Sequence, residues 1–448
     1  MPGVLSNRTY RRLFTAQVVA LAGTGLATVA LGLLAYDLAG PDAGAVLGTA
    51  FAIKMVAYVG IGPLAAVLAA RFPRKHLLVG LDLVRVAVAA ALPWVAEVWQ
   101  VYLLIFLLQA ASAAFTPTFQ ATIPDVLTEE RDYTRALSLS RLAYDLESLL
   151  SPLLAAAVLL VVGHDSLFVG TATGFAASAL LVSAAALPRS HRAAAGRSIT
   201  ATTRGLRVYL GTPRLRGLLA AHLAVAAAGS VVLVDTVVYV RDLLGRGETA
   251  VAVALAAYGS GSLIAALALP RVLDRRPDRP VVLRATVALA ALLVVAVPAT
   301  AFLDDLRWYA LLALWAALGA AGSFVLTPGG RLLRRSAHRP DLSAVFAADF
   351  TLSHACWLVC YPLAGWLATV TSMTATLLVL GLVATAAATA AIRLWPAHDP
   401  EVVEHEHHGL DSDHDHLHGA VMVGEWHRHA HPYRIDDLHA RWPADVRR

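Results

Sequence analysis

The chain has 448 residues, of which 58% are hydrophobic and 15% charged, and its formal net charge at pH 7 is +5. This composition excludes an ordinary soluble globular domain, in which about a quarter of the residues are charged. The basic residues lie in short loops between apolar stretches, so membrane topology explains the positive charge without a nucleic-acid partner.

The sequence contains twelve apolar stretches long enough to cross the hydrocarbon core of a lipid bilayer, which is about 30 Å thick. It therefore predicts an all-α membrane protein with twelve transmembrane helices. In chain order the predicted spans are 13–36, 45–70, 77–96, 101–120, 138–162, 166–187, 217–240, 249–270, 281–303, 307–327, 344–370 and 374–395.

Basic residues concentrate in alternate loops. One set of loops is rich in arginine, whereas the opposite loops hold only Arg241, Arg246 and Arg307. Because positive residues stay on the cytoplasmic side, we expect both termini to face the cytoplasm. The excess of arginine over lysine and the heavy use of alanine are typical of a GC-rich genome. They therefore favour the plasma (inner) membrane of a bacterium.

The spans divide into two halves, because the basic turn at 71–75, after the second span, recurs at 271–279, after the eighth. Two parallel six-helix halves are typical of transporters that bind their substrate at the bilayer midplane between the halves. The predicted units are an N-terminal half (1–187), a basic cytoplasmic linker (188–216), a C-terminal half (217–395) and a cytoplasmic histidine-rich tail (396–448).

Several polar side chains lie inside the predicted spans, where ionisable groups are costly and are functional candidates. Gln17 in the first span and His222 in the seventh are placed to pass a cation inward. Lys54 and Asp235 occur at comparable depths and predict a gate pair between the halves. Glu147 has no charged partner nearby in the sequence and is the preferred carboxylate for proton coupling, although a bond to a neighbouring helix is an equal alternative.

The eleventh span carries the densest polar face. Asp349, Ser353, Cys356 and Cys360 follow the i, i+4, i+7, i+11 spacing of one helical face and predict a ladder of metal ligands. His354 lies about 140° from Asp349 around the helix and is a further candidate ligand only with help from another helix. The competing interpretation is that the small side chains allow close helix packing. The cysteines are expected to be free thiols.

Eleven of the 17 histidines fall in the last 51 residues, mostly with H-x-H spacing. In an extended chain, residues i and i+2 share a face, so each triplet directs imidazoles toward one ion. The tail is predicted to bind metal and to be disordered without it. A solvated terminus and an affinity tag are the alternatives. The candidate ligands are His405, His407, His408, His414, His416, His418, His427, His429 and His431.

The segment "LAAVLAARFPRK" (64–75) resembles the signature loop of the major facilitator superfamily, with Ala66 and Ala70 where that family usually has Gly and Asp. The segments at 9–40, 48–60 and 353–367, followed by the histidine-rich terminus, resemble the NreB-type nickel-resistance permeases. This resemblance implies the major facilitator fold and proton-driven export of nickel.

We therefore expect a proton-coupled secondary transporter that exports a divalent transition metal, nickel first and cobalt next. A drug or siderophore exporter of the same fold is one alternative, and a metal-sensing or metal-buffering membrane protein is another. The sequence has no phosphate-binding loop or hydrolase motif, so no enzyme is predicted. The expected partners are the metal ion, protons and the bilayer, without a resident cofactor, nucleic acid or obligate protein partner.

Overall fold

The computed structural model of the chain describes residues 4–127, 165–187, 198–302, 306–338 and 341–400 throughout, and parts of 129–163 and 402–443. Within these residues, ten apolar helical stretches are long enough to cross a membrane, and the first of them, Arg8–Ile61, contains two helices. The predicted all-α membrane architecture is confirmed. The fifth predicted span lies largely outside the described residues.

The first half contains five long helices in the described part of the chain. Asn7 caps the first helix, since its side chain accepts hydrogen bonds from the backbone N–H groups of Thr9 and Tyr10. Gly40, with φ of +52°, ends that helix in a conformation that suits glycine and turns the chain into the second. The helices are α1 (Arg8–Ala39), α2 (Ala43–Arg71), α3 (Arg74–Ala91), α4 (Val98–Val126) and α5 (Asp165–Ser183).

The second half contains eight helices in its described residues, and two of them lie outside the predicted spans. One of these, α6, occupies the segment predicted to be a linker. After Ser230, α7 continues through π-helical turns at Val231–Asp235 and Tyr239–Leu243. The helices are α6 (Ser198–Gly211), α7 (Pro213–Ser230), α8 (Glu248–Leu273), α9 (Asp278–Phe302), α10 (Arg307–Leu326), α11 (Gly329–Ser336), α12 (Leu342–Val370) and α13 (Met373–Leu394).

Helices α2 and α12 bring the two halves together. A Cβ atom on Gly365 would lie 2.0 Å from the carbonyl oxygen of Gly44, and one on Gly48 would lie 2.6 Å from that of Tyr361. Only glycine permits so close an approach of two backbones. This contact lies where α2 begins and α12 ends, at the end of the bundle opposite the tail, and there it holds the halves against each other.

The tail forms a three-stranded antiparallel sheet of β1 (Val402–His407), β2 (Val421–Val423) and β3 (Trp426–Pro432), in the order β1-β3-β2. The buried side chains of Val403, Tyr433, Ile435 and Trp442 join the same hydrophobic core as the transmembrane helices. The structure therefore differs from the disorder expected of the tail. These apolar residues, placed among the histidines, give the sheet a face that it buries against the bundle.

Candidate metal and proton sites

Asp349 on α12 meets two other helices on the tail side of the bundle. The Tyr209 hydroxyl of α6 donates a hydrogen bond of 2.9 Å to the Asp349 carboxylate. The Nδ1 atom of buried His222, on α7, lies 3.7 Å from the same oxygen. Two sequence candidates, Asp349 and His222, thus meet in a single cluster. A carboxylate beside an imidazole is able both to bind a divalent cation and to exchange a proton.

The remaining residues of the predicted α12 ladder line up above this cluster. Cys356 interacts electrostatically with Asp349 and donates a hydrogen bond of 3.4 Å to the Leu352 carbonyl. Cys360 is buried, and both cysteines are free thiols, as expected. The Ser353 hydroxyl bonds to the Phe350 carbonyl of its own helix at 3.0 Å. The ladder offers soft sulfur atoms beyond a hard carboxylate, a combination that suits a transition metal.

The His354 side chain points away from the Asp349 face of α12 and toward α2. Its ring centroid lies 3.8 Å from that of Phe350 and 5.6 Å from that of Tyr58, and its Nδ1 bonds to the Phe350 carbonyl at 2.7 Å. These contacts agree with the angular offset from Asp349 that the sequence predicts. They hold His354 in an aromatic environment, close enough to Lys54 for electrostatic interaction.

Lys54 has a different partner from the one predicted. The Lys54 ammonium and the Glu147 carboxylate attract each other, and both side chains are half-buried. The predicted gate pair of Lys54 with Asp235 is absent from the described structure. The reason is that Asp235 is fully buried where α7 changes to its π-helical turn, beside Gly44.

Asp235 is isolated from other polar groups within the described bundle. Both carboxylate oxygens are buried and without a hydrogen-bond partner among the described residues. A buried carboxyl group without partners destabilises a fold, and π-helical turns in helices occur mostly at functional sites. Asp235 is thus a candidate proton carrier, a role the sequence did not suggest for it, and it is separate from the Asp349 cluster.

Gln17 joins α1 to the segment of the fifth predicted span. Its side-chain oxygen accepts a hydrogen bond of 2.9 Å from the Ser140 hydroxyl, and its side chain is 2% exposed. The amide is therefore already engaged within the first half. This contact supports a packing role for Gln17, and its predicted role in cation passage stays a prediction.

The tail sheet gathers six imidazole rings at one point. Two come from β1, two from β3, one from a helical turn between β1 and β2, and one follows β3. The ligand atoms of the first five lie within 4.8 Å of one another, and the sixth, His439, has its Nε2 atom 3.0 Å from that of His405. The strand register places His405 opposite His429, which explains why the H-x-H spacings of two strands converge. The rings belong to His405, His407, His416, His429, His431 and His439.

The other predicted tail ligands are placed differently. His414 is exposed, and its Nδ1 accepts a hydrogen bond from the backbone N–H of His416. His427, on β3, is outside the six-ring group. His408 and His418 lie outside the described residues.

Burial lowers the pKa of three imidazoles in this group, His407, His429 and His439, to about 4. The positive charge of protonated neighbours lowers the pKa of His407 and His429 further. An exposed histidine has a pKa of about 6.5. The folded sheet thus holds these rings neutral, as metal ligands must be, at a pH where the unfolded tail would already take up protons.

Without metal, the tail sheet is expected to be fully stable above pH 6.5 and to lose stability as the pH falls from about 6.5 toward 4. The sign follows from linkage, since over this window the unfolded tail binds more protons than the folded one. Hydrogen exchange of residues 402–436 in the full-length protein, corrected for intrinsic rates, measures this stability. Protection that is unchanged down to pH 4 would contradict the lowered pKa values.

Sequence reasoning missed four residues of these sites. Tyr209 lay in the predicted linker, although the apolar positions of α6 with helical spacing offered a signal. His439 was missed because it follows the last histidine triplet and has no H-x-H spacing of its own. Asp436 accepts a hydrogen bond of 2.8 Å from His439 Nδ1, and its other oxygen lies 3.2 Å from Nε2 of His338. No sequence signal pairs Asp436 with His338, since 98 residues separate them.

Two halves of apolar helices, with ionisable groups where they meet, define a membrane protein of the secondary-transporter class. The chain belongs to the Major Facilitator Superfamily, whose model matches residues 13–304 and 218–424.

Solved structures support this fold. The nucleoside transporter NupG has a TM-score of 0.66 at 13% sequence identity, and the match covers 86% of this chain and 98% of that one. A D-xylose-proton symporter has a TM-score of 0.65 at 14% identity, with 88% of this chain and 97% of that one covered. At these identities the likeness shows the fold alone.

A relative by sequence is Macrolide efflux protein A of Streptococcus pyogenes. It is 30% identical over 116 residues, which are 25% of this chain and 28% of that protein. The match thus spans little more than a quarter of the relative's length.

Proposed function

We propose that the protein is a proton-coupled exporter of a divalent transition metal, with nickel the first candidate and cobalt the second. The observation that carries the proposal is the convergence of six imidazoles in the tail. Imidazole nitrogen is a good ligand for nickel, copper, iron and zinc and a poor one for alkali or alkaline-earth cations. A transporter that holds such a group against its own helices is best explained by a metal substrate.

The Asp349 cluster supplies the translocation site in this proposal. Its carboxylate and the His222 imidazole come from different helices, α12 and α7, so a relative movement of these helices changes the ligand set. The thiol of Cys356 on the same face extends it with a soft ligand. The ion and the counter-transported proton compete for these groups, which is the basis of exchange.

Glu147 and Asp235 are the further carboxyl groups available for proton exchange. Glu147 lies against Lys54, so protonation of Glu147 would leave Lys54 without a counter-charge. Such a change in charge balance is a means of favouring one arrangement of the halves over another. Asp235 lies near Gly44, at the end of the bundle opposite the tail.

A second candidate function is drug export. The stretch of similarity to a macrolide efflux protein favours it, as does the common fold, since one fold serves many substrates. In that case the tail would be incidental to transport.

Metal content of cells with and without the protein tests the proposal. We expect expressing cells to accumulate less nickel and cobalt from the medium, and to accumulate as much of a macrolide as control cells. Lower macrolide content with unchanged metals would establish the drug exporter instead. Higher total nickel in expressing cells, abolished by deletion of residues 396–448, would establish a metal buffer.

A further inference from the structure

The six tail imidazoles are arranged as an octahedron. Each ring has four neighbours and one opposite ring. Twelve pairs of ring centroids lie 4.7 to 5.2 Å apart, as many as an octahedron has edges. His405 and His416 are opposite each other, with centroids 6.4 Å apart. The other two opposite pairs are His407 with His431 and His429 with His439.

Five of the six rings approach one another through their Nε2 atoms, and His429 Nε2 is buried without a hydrogen-bond partner among the described residues. Four neighbouring pairs of these atoms are 3.0 to 3.2 Å apart. With a metal–nitrogen bond of about 2.1 Å, adjacent nitrogens are about 3.0 Å apart in an octahedron and about 3.4 Å apart in a tetrahedron. The observed spacing matches the octahedron.

The hydrogen bonds on the outer side of the rings favour a cation at the centre. His405 Nδ1 donates to the Val403 carbonyl at 3.0 Å, and His439 Nδ1 donates to the Asp436 carboxylate at 2.8 Å. A neutral imidazole that donates from Nδ1 carries a lone pair on Nε2. The Nε2 atoms of these two rings are 3.0 Å apart, so two lone pairs face each other, which a shared positive ion would stabilise.

We propose that these six histidines form a closed, six-coordinate centre for a single divalent first-row cation of the nickel or cobalt type. Structural zinc sites are four-coordinate and copper(II) prefers tetragonal sites, so the geometry disfavours both. With all six positions taken by imidazole, the centre has no open position for ligand exchange. It holds an ion as a sensor does and is not a step on the transport path. The inference does not depend on which substrate the membrane helices carry.

The contacts of the sheet connect the histidine centre to the Asp349 cluster. Asp436 joins its ligand His439 to His338, in the connection that leads into α12. Ile435 packs on Gly211, at the end of α6, two residues after Tyr209. Tyr209 in turn bonds to Asp349. An ion in the centre therefore fastens the sheet to the two helices, α6 and α12, that form the Asp349 cluster.

The test uses purified full-length protein, freed of metal, loaded with Co²⁺ and desalted. Wild type is expected to retain one more Co²⁺ per chain than His439→Ala, with the weak visible absorption of six-coordinate cobalt. His427→Ala, on β3 but outside the six, is the matched control and should equal wild type. Intense four-coordinate absorption, equal retention by wild type and His439→Ala, or equal losses in both variants would overturn the octahedral centre.

Asp436→Asn separates ligand orientation from folding, because it keeps all six rings. We expect about 10- to 100-fold weaker Co²⁺ binding with an unchanged six-coordinate spectrum. His338→Ala should bind Co²⁺ normally, but cobalt should then protect residues 402–436 and α6 less from hydrogen exchange than it does in wild type. Full protection of α6 in His338→Ala, or none in wild type, would overturn the regulatory part. Neither measurement involves transport, so their failure is distinct from a failure of the proposed function.

Discussion

Asp349→Asn is expected to abolish pH-driven metal transport while leaving the protein folded. The amide has the shape of the carboxylate, and its oxygen is still able to accept the hydrogen bond from Tyr209. What it lacks is the negative charge that attracts a divalent cation and the ability to take up a proton. Nickel flux in membrane vesicles under an imposed pH gradient should fall to the level of vesicles without the protein, at equal amounts of protein in the membrane.

Two further variants show whether this loss is specific. Ser353→Ala changes the same face of α12 but removes only a hydroxyl bonded to its own helix, and it should transport like wild type. Tyr209→Phe removes one hydrogen bond to a charged group, worth about 1.5–3 kcal/mol, and its transport should lie between those of wild type and Asp349→Asn. Normal flux in Asp349→Asn would remove this residue from the transport site.

Glu147→Gln is also expected to abolish pH-driven flux. A second substitution, at Lys54, shows whether the flux is lost through proton coupling or through charge balance. The single change removes the charge that Lys54 faces, and an unpaired cation within a span destabilises the bundle. Replacing Lys54 with Met in the same protein removes that cation. The double variant Glu147→Gln, Lys54→Met should therefore recover a melting temperature near that of wild type but remain inactive, because no carboxyl group is left there to carry the proton.

The double variant distinguishes coupling from charge balance. If Glu147 only neutralised Lys54, removing both charges would restore transport along with stability. A double variant that transports nickel in response to a pH gradient would thus assign proton coupling to another group. Asp235 would be the next to test, because its carboxylate oxygens are buried without hydrogen-bond partners among the described residues.

Hydropathy was enough to predict the helices that cross the membrane, because the bilayer demands long apolar stretches. It did not predict α6, whose buried Tyr209 faces the bundle and whose other face is polar. The α12 face was predictable from helical spacing, since Asp349 and Cys356 lie on one helix. The contact between Asp349 and His222 and the pairing of Lys54 with Glu147 were not predictable, because contacts between distant helices produce no periodic pattern in a single sequence.

The tail was partly predictable for a similar reason. The H-x-H spacing required an extended chain to direct neighbouring rings the same way, and β1 and β3 are such chains. Spacing within one strand carries no information about the partner strand. The register of His405 against His429, and the position of His439, depend on tertiary packing of apolar residues such as Tyr433 and Trp442.

The most direct test of metal export is ion flux in liposomes that contain the purified protein. With a pH gradient imposed across the membrane, proteoliposomes should move nickel against its concentration gradient and release protons in exchange. Protein without residues 396–448 should do the same at a higher nickel concentration, since the tail concentrates or senses the ion and the helices carry it. Two results would contradict proton-driven export by the membrane helices. One is nickel flux that does not depend on the pH gradient, and the other is loss of flux on deletion of the tail while Asp349→Asn transports normally.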